Sequence, residues 1–408
     1  MRRVEISRIA WLFPVLIICL IFTLFQGWIP HWGALWIFLL LGVVVSFMVV
    51  PSYYNSKHPF LYWLPYAIIL FFNYFTNDFY WGRSFTVPVT ELSVLLFAPA
   101  MSFYVIVSGD VKTEKRIVIW SIIVILIMSV STVIIDTVIP GIVRDAARLR
   151  YEFQDNTMSQ YLYRFAGSNY SLPHALPILF PALVFAFRET TSWLTKIALI
   201  VVLIFMSGLV WVSGAFTALI LGGFSLIIAL FLSKTNVKRN LIVISIVVLF
   251  ILPLVADNSL MLSVTRWLQS FTENNSSFYE KLDETTFYLE TGDVGSDSGT
   301  RMDLYKQSLE TGFDNFFVGT NGDIGGHSAI IDHFATLGIF GLLLFLAIII
   351  SNVKIQMRFF PKYVQSFYVL GILTGFIMLL LKQMGNIEVW LTFFTLMPLT
   401  LHYSIKKT

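Results

Sequence analysis

The sequence predicts an all-α, polytopic membrane protein, and three observations carry that expectation. Hydrophobic residues make up 57% of the 408 positions and charged residues only 12%, about half the charged share of a soluble domain. Mean hydropathy is +0.78, and apolar runs long enough to cross the hydrocarbon core recur along the whole chain. Lysine and arginine fall in alternate connections between those runs, which sets one side as the basic, cytoplasmic one. The aromatic load, with 38 Phe and 11 Trp, suits lipid-facing surfaces and interfacial belts.

Twelve candidate spans follow in order, at 9–27, 32–51, 60–76, 89–107, 117–138, 172–187, 193–212, 214–233, 239–256, 329–351, 363–381 and 387–404. The N-terminal MRRVEISR and the run after it lack a small-residue cleavage site, so an uncleaved first helix is expected. Basic residues cluster at Arg2, Arg3 and Arg8, Lys57, Lys112 to Arg116, Arg188, Lys234 to Arg239, Lys354 to Lys362, and Lys406 with Lys407. Both termini are therefore expected in the cytoplasm. The seventh and eighth spans meet at Ser213-Gly214 with almost no connection. The lone cysteine, Cys19, lies inside the first apolar run, which excludes a disulfide framework or a thiolate metal site. One integral membrane domain over residues 1–408 is expected, with no internal repeat.

Two connections on the opposite face are far longer than the rest, at 139–171 and 257–328. Loops of this length are commonly functional. The first contains GIVRDAARLRYEFQDNTMSQYLYRFAG, in which Leu149, Phe153, Tyr161 and Phe165 form a patchy helical stripe beside arginines, as in a helix lying on a membrane surface. The second contains SVTRWLQSF and SGTRMDLYKQSLETG. Thr300 followed by Asp303 resembles a capping box and Gly312 a C-terminal stop, which predicts a short external helix with Arg301 in its first turn. The second loop is acidic, with four basic residues against eleven carboxylates over 258–328. Anion handling there would rest on particular arginines rather than on a diffuse field.

An ionisable group at the membrane is costly, so its default interpretation is functional. The candidates on the external face are Arg144, Arg148, Arg150 and Arg164 in the first loop, Arg266 and Arg301 in the second, and His327 and Asp332 at the start of the tenth span. Ser328, Asp332 and Thr336 recur every four residues and share one helix face. His327 closes a glycine-rich stretch ending in Gly326, where backbone can approach a ligand closely. Arginine grips phosphate bidentately, so two or three around a diphosphate would neutralise charge developing on a leaving group. A histidine titrating near neutrality suits proton removal from a hydroxyl. Together these residue types suit transfer from a lipid diphosphate. No cluster of His and carboxylates at ligand spacing implies a metal.

The stretch SGTRMDLYKQSLETGFDNFFVGTNGDIGGHSAIIDHFATLGIFG resembles the C-terminal signature of the bacterial O-antigen polymerase and ligase superfamily. That signature has an arginine opening a helix, a glycine-rich loop, a histidine followed by a small polar residue, and an apolar helix with a late Gly-x-x-Gly. RFAGSNYSLPHALP, at 164–177, is similar to the family's upstream motif. The resemblance implies a GT-C-like membrane glycosyltransferase of about twelve spans with two large external loops. By position, Arg164 and Arg301 match diphosphate-binding arginines, His327 the proposed catalytic histidine, and Asp332 an acidic position of many polysaccharide polymerases. Two departures stand out: Tyr151 occupies the place sixteen before Gly167 where some polymerases carry arginine, with Arg150 one place further out, and His174 replaces a more usual asparagine.

The expected substrate is then an undecaprenyl-diphosphate-linked oligosaccharide, joined at the outer face of the bacterial cytoplasmic membrane into capsular or O-antigen polysaccharide. His327 would act as base, with Arg164 and Arg301 on the leaving diphosphate, Asp332 beside them, and Arg148, Arg150, Arg266, Gly326 and Ser328 toward the substrate. Partners are membrane lipid and the lipid-linked glycan, with a chain-length regulator left open; no cofactor and no nucleic acid are implied. Each residue also has a structural alternative: a surface ion pair for Arg301, a helix cap for His327, an arginine partner for Asp332, a solvated face for Arg144 and Arg148. His333 is expected to face away from the Asp332 stripe. An O-antigen ligase using another acceptor is the nearest alternative. A lipid-linked oligosaccharide transporter is the competing class; it would show related halves, broken helices and ionisable groups deep in the spans, none of which stands out in the sequence.

Overall fold

A computed structural model of the chain describes residues 59–76, 86–138, 171–233, 238–240, 242–243, 258–272, 277–291, 297–320, 324, 328–382 and 387–406. The first two expected spans, nearly all of the ninth, and the first external loop up to residue 170 lie outside these. Every described element is helical. In chain order they are α1 Pro59–Thr76, α2 Thr86–Ser108, α3 Val111–Val138, α4 Ser171–Glu189, α5 Trp193–Val212, α6 Phe216–Phe231, α7 Asn258–Gln269, α8 Ser277–Thr291, α9 Asp297–Asp314, α10 Ala329–Met357 and α11 Lys362–Leu381. The last begins as α12 Ile387–Leu391, continues through a π-helical turn at Thr392–Leu396, and ends as α13 Met397–Lys406.

Five of these helices are long and apolar enough to cross a membrane: α3, α4, α5, α10 and α11. The apolar parts of α1, α2 and α6 are shorter. Leu61, Ile68 and Phe72 on α1, Trp120 and Ile127 on α3, Ile204 on α5 and Leu343 on α10 stay exposed, a surface that suits lipid rather than water. The molecule is a helical membrane protein in which α4 is the buried centre. Side chains from Leu172 to Phe185 are all buried, and α4 packs against α5, α6, α11 and α13. The second group forms around α10, which packs against α1, α9 and α11.

At two prolines the helix lacks a backbone donor, and a side chain of a neighbouring helix takes over the freed carbonyl. Pro181 has no N–H for the Pro177 carbonyl, which instead accepts from Ser225 of α6 at 3.3 Å. Pro398 leaves the Phe394 carbonyl free in the same way, and Gln356 of α10 donates to it at 2.7 Å. The same amide donates to Ser102 at 2.7 Å, and Tyr368 donates to the Gln356 Oε1 at 2.6 Å. The π turn is thus held in a closed polar network joining α2, α10, α11 and the last helix.

The second long connection, 257–328, is helical over α7, α8 and α9. The α7–α8 pair is joined by Thr286 donating to Thr265 at 3.3 Å and Gln269 donating to Asp283 at 3.3 Å. α9 starts three residues before the expected cap at Thr300, so Arg301 belongs to its second turn, and Gly312 lies inside the helix. The reason is packing. A Cβ at Gly312 would stand 2.5 Å from the Phe334 ring, so glycine there permits close approach to α10 and does not end the helix. The left-handed glycine comes later, at Gly319, with φ +77°.

Candidate functional site

The first turn of α10 is organised by two side chains of its own. Ser328 is the N-cap and its hydroxyl accepts from the Ile331 N–H at 3.1 Å, satisfying one of the orphan donors at a helix start. Asp332, one turn on, reaches back so that Oδ2 accepts from the Ser328 N–H at 3.0 Å. Thr336 donates its hydroxyl to the Asp332 carbonyl at 2.6 Å. All three side chains of the expected stripe are buried, Asp332 being 6% exposed. The Ala329 N–H donates to the Lys382 carbonyl at 3.0 Å, which ties the start of α10 to the end of α11. His333 faces elsewhere: its Nε2 lies 3.0 Å from the Tyr66 hydroxyl of α1, and its ring stacks on Phe345 with centroids 4.2 Å apart.

The second oxygen of Asp332 is taken by α9. Ser308 of α9, fully buried, donates its hydroxyl to Asp332 Oδ1 at 2.8 Å. Tyr305, one turn earlier, donates to the Leu381 carbonyl at the end of α11 at 2.6 Å. Phe313 and Phe316 pack edge-on against Phe334 with centroids 5.4 and 5.8 Å away. Arg301, Tyr305, Ser308 and Gly312 recur at four, three and four residues, so their backbone positions share one stripe of α9. Tyr305 and Ser308 of this stripe meet the end of α11 and the start of α10.

Beyond Thr336, α10 is broken. Gly338 has φ 66° and ψ −174° inside what is otherwise one helix, a region open only to glycine. The chain after α9 fills the gap: the Ile339 N–H donates to the Phe316 carbonyl at 2.8 Å. A Cβ at Gly338 would lie 2.4 Å from the Phe317 backbone, and one at Gly319 would lie 2.0 Å from the Thr336 carbonyl oxygen. Irregular backbone at this depth is tolerated because the protein itself supplies the missing partner. The break corrects the expectation from sequence that no span is interrupted.

The expected site residues are distributed as follows. Ser328 and Asp332 stand at the node just described. Arg301 lies in the second turn of α9, two turns before Ser308, and its side chain is outside the described residues, as are Arg148, Arg150, Arg164, Gly326 and His327. His327 directly precedes the N-cap Ser328 in the chain. Arg266 stands apart on the exposed α7, paired with Glu290 of α8. Among the described residues no three His, Cys, Asp or Glu side chains gather as metal ligands would.

Sequence reasoning missed Ser308 and Tyr305, whose signal was their spacing of seven and four residues from Arg301. It also missed a buried carboxylate at the far end of the last helix. Glu114 of α3, 0% exposed, meets His402 Nδ1 at 2.7 Å and Lys406 Nζ at 3.6 Å. His402 and Lys406 are four residues apart and so share a face of α13, a spacing that was readable once a partner was known. Compared with known proteins, the chain matches no family model, no curated protein and no solved structure.

Proposed function

We propose that the chain is a membrane glycosyltransferase that joins lipid-diphosphate-linked oligosaccharide repeat units into a polysaccharide at the outer face of the bacterial cytoplasmic membrane. The observation that carries this reading is the docking of α9, the helix bearing Arg301, on the helix start that directly follows His327. In this reading Arg301 of α9, His327 just before Ser328 and the buried Asp332 act together at the outer end of the bundle, where a lipid-borne headgroup would reach. In this mechanism an acceptor sugar hydroxyl gives its proton to His327 as its oxygen bonds to the anomeric carbon of the donor glycan. The bond from that carbon to the diphosphate oxygen breaks, and the charge passes to undecaprenyl diphosphate, where Arg164 and Arg301 stabilise it. Both termini lie in the cytoplasm in this reading.

The test uses the full chain in liposomes with lipid-linked repeat units, products being resolved as a ladder. Arg301→Ala and His327→Ala should each abolish the ladder while keeping expression and melting temperature. A product that forms only when a second acceptor lipid is added would make the protein a ligase. The break at Gly338 favours a second reading, since transporters bind their cargo at discontinuous helices. Movement of intact lipid-linked sugar across the bilayer without a new glycosidic bond would replace the enzyme reading with that one.

A further inference from the structure

We infer that Ser308 and Asp332 are positioning residues, a two-residue strut that sets the Arg301-bearing helix against the membrane bundle; this rests on the reading above for its catalytic consequence. Both carboxylate oxygens of Asp332 hold parts of the chain together. Here Oδ1 accepts from Ser308 at 2.8 Å and Oδ2 from the Ser328 N–H at 3.0 Å. One side chain thus joins two things that must keep register: the external helix through Ser308, and the backbone next to His327 through Ser328. The strut is buried on both sides, with Ser308 at 0% and Asp332 at 6% exposure. Water therefore cannot replace either partner cheaply, and the hydrogen bond to a charged group is of the stronger kind.

Position along α9 gives the strut its effect. Ser308 lies two turns from Arg301 on the same stripe. Beyond Ser308 the helix is pinned by the Phe316–Ile339 hydrogen bond, and between the two by Tyr305 on the Leu381 carbonyl. Removing the Ser308 hydroxyl leaves Asp332 Oδ1 without that donor and releases a polar fastening that lies between the other two. The tilt of α9 about its remaining fastenings then varies over a wider range, and with it the position of the Arg301 backbone beyond Tyr305. A misplacement of about an ångström at a phosphate-binding group costs on the order of 100-fold in rate.

The experiment compares Ser308→Ala, Ser308→Thr and Asp332→Asn in the full chain, in a Cys19→Ser background. Spin labels at Lys306→Cys on α9 and Leu343→Cys on α10, both exposed positions, report the α9–α10 distance without substrate. Ser308→Ala should broaden that distribution and Ser308→Thr, which keeps the hydroxyl, should leave it narrow. An unchanged distribution in Ser308→Ala overturns the strut. In the polymerisation assay Ser308→Ala and Asp332→Asn should each lower kcat on the order of 10- to 100-fold, with the shape of the pH–rate profile kept. The double variant should be no slower than the slower single one. If Asp332→Asn removes one limb of the pH profile while Ser308→Ala is neutral, Asp332 is an acid or base and the inference fails. A parent protein that makes no ladder overturns the polymerase reading alone, because the distance measurement still decides the strut.

Discussion

The Ile339 N–H donates across 2.8 Å to the carbonyl of Phe316, a residue twenty-three places earlier in the chain. Within a continuous α10 that N–H would bond one turn back along its own helix. α10 is thus interrupted at the point where it is joined to the chain after α9. Its first nine residues, 329–337, are therefore fastened to α9 and the chain after it as well as to the bundle.

This join sets the first prediction. Gly338→Ala and Gly319→Ala each place a Cβ within 2.4 Å of backbone, at a φ of 66° and 77°. The strain alone is about 1–3 kcal/mol, and backbone has to move as well. Both variants should melt well below the parent in detergent, followed by size-exclusion of heated samples. Gly223→Ala, with nothing within 4 Å of its Cβ, is the control that should melt with the parent.

The buried carboxylate at the other end gives the second. His402→Ala takes the 2.7 Å partner from the fully buried Glu114 and leaves Lys406 at 3.6 Å. Loss of one partner from a buried ionic pair costs about 3–5 kcal/mol, whereas replacing both with apolar groups is close to neutral. The double variant Glu114→Leu with His402→Leu should therefore melt above His402→Ala. Equal melting of the two would show that Lys406 alone satisfies Glu114.

Arg266 provides a contrast. Its ion pair with Glu290 joins side chains that are 60% and 39% exposed, and such pairs contribute about 0–1 kcal/mol. Arg266→Ala should leave the melting temperature within a degree or two of the parent. A polysaccharide yield that falls about ten-fold or more at unchanged stability would return Arg266 to the substrate-binding group.

At the connection between α2 and α3, Asp110 accepts from the Thr113 hydroxyl at 2.6 Å and from the Lys112 and Thr113 N–H groups at 3.1 Å each. These bonds, the Thr113 hydroxyl first, hold its carboxyl below the usual value of 3.8. The sign follows directly: a carboxyl with a lowered folded value stabilises above the unfolded value, and the contribution is lost as pH falls through the folded one. Asp110→Ala should cost about 1 kcal/mol at neutral pH. The difference from the parent, measured by melting between pH 7 and pH 3, should shrink below about pH 4.

The helical nature of the chain was legible because burial in a bilayer demands uninterrupted apolar runs, and the runs over 172–187, 193–212, 329–351 and 363–381 fall within α4, α5, α10 and α11. The Ser328–Asp332–Thr336 stripe was legible for a related reason, since three polar residues at a spacing of four cannot all face lipid. Gly312 was misread because a glycine after a polar run looks the same whether it ends a helix or admits a neighbouring ring. The spacing of Ser308 from Arg301 was readable, but a serine in a polar helix is unremarkable until a carboxylate from an apolar helix is found against it.

By itself, the sequence determined that the chain is rich in apolar helices and where the Ser328–Asp332–Thr336 stripe lies. These follow from composition and period, which are local properties. Only the tertiary structure decided that Asp332 is shared between Ser308 and Ser328, that α10 is broken at Gly338 to admit the Phe316 carbonyl, and that Glu114 is enclosed by His402 and Lys406. Each joins residues between 4 and 292 positions apart, and what selects such pairings is the need to give every buried polar group a partner once the helices have packed.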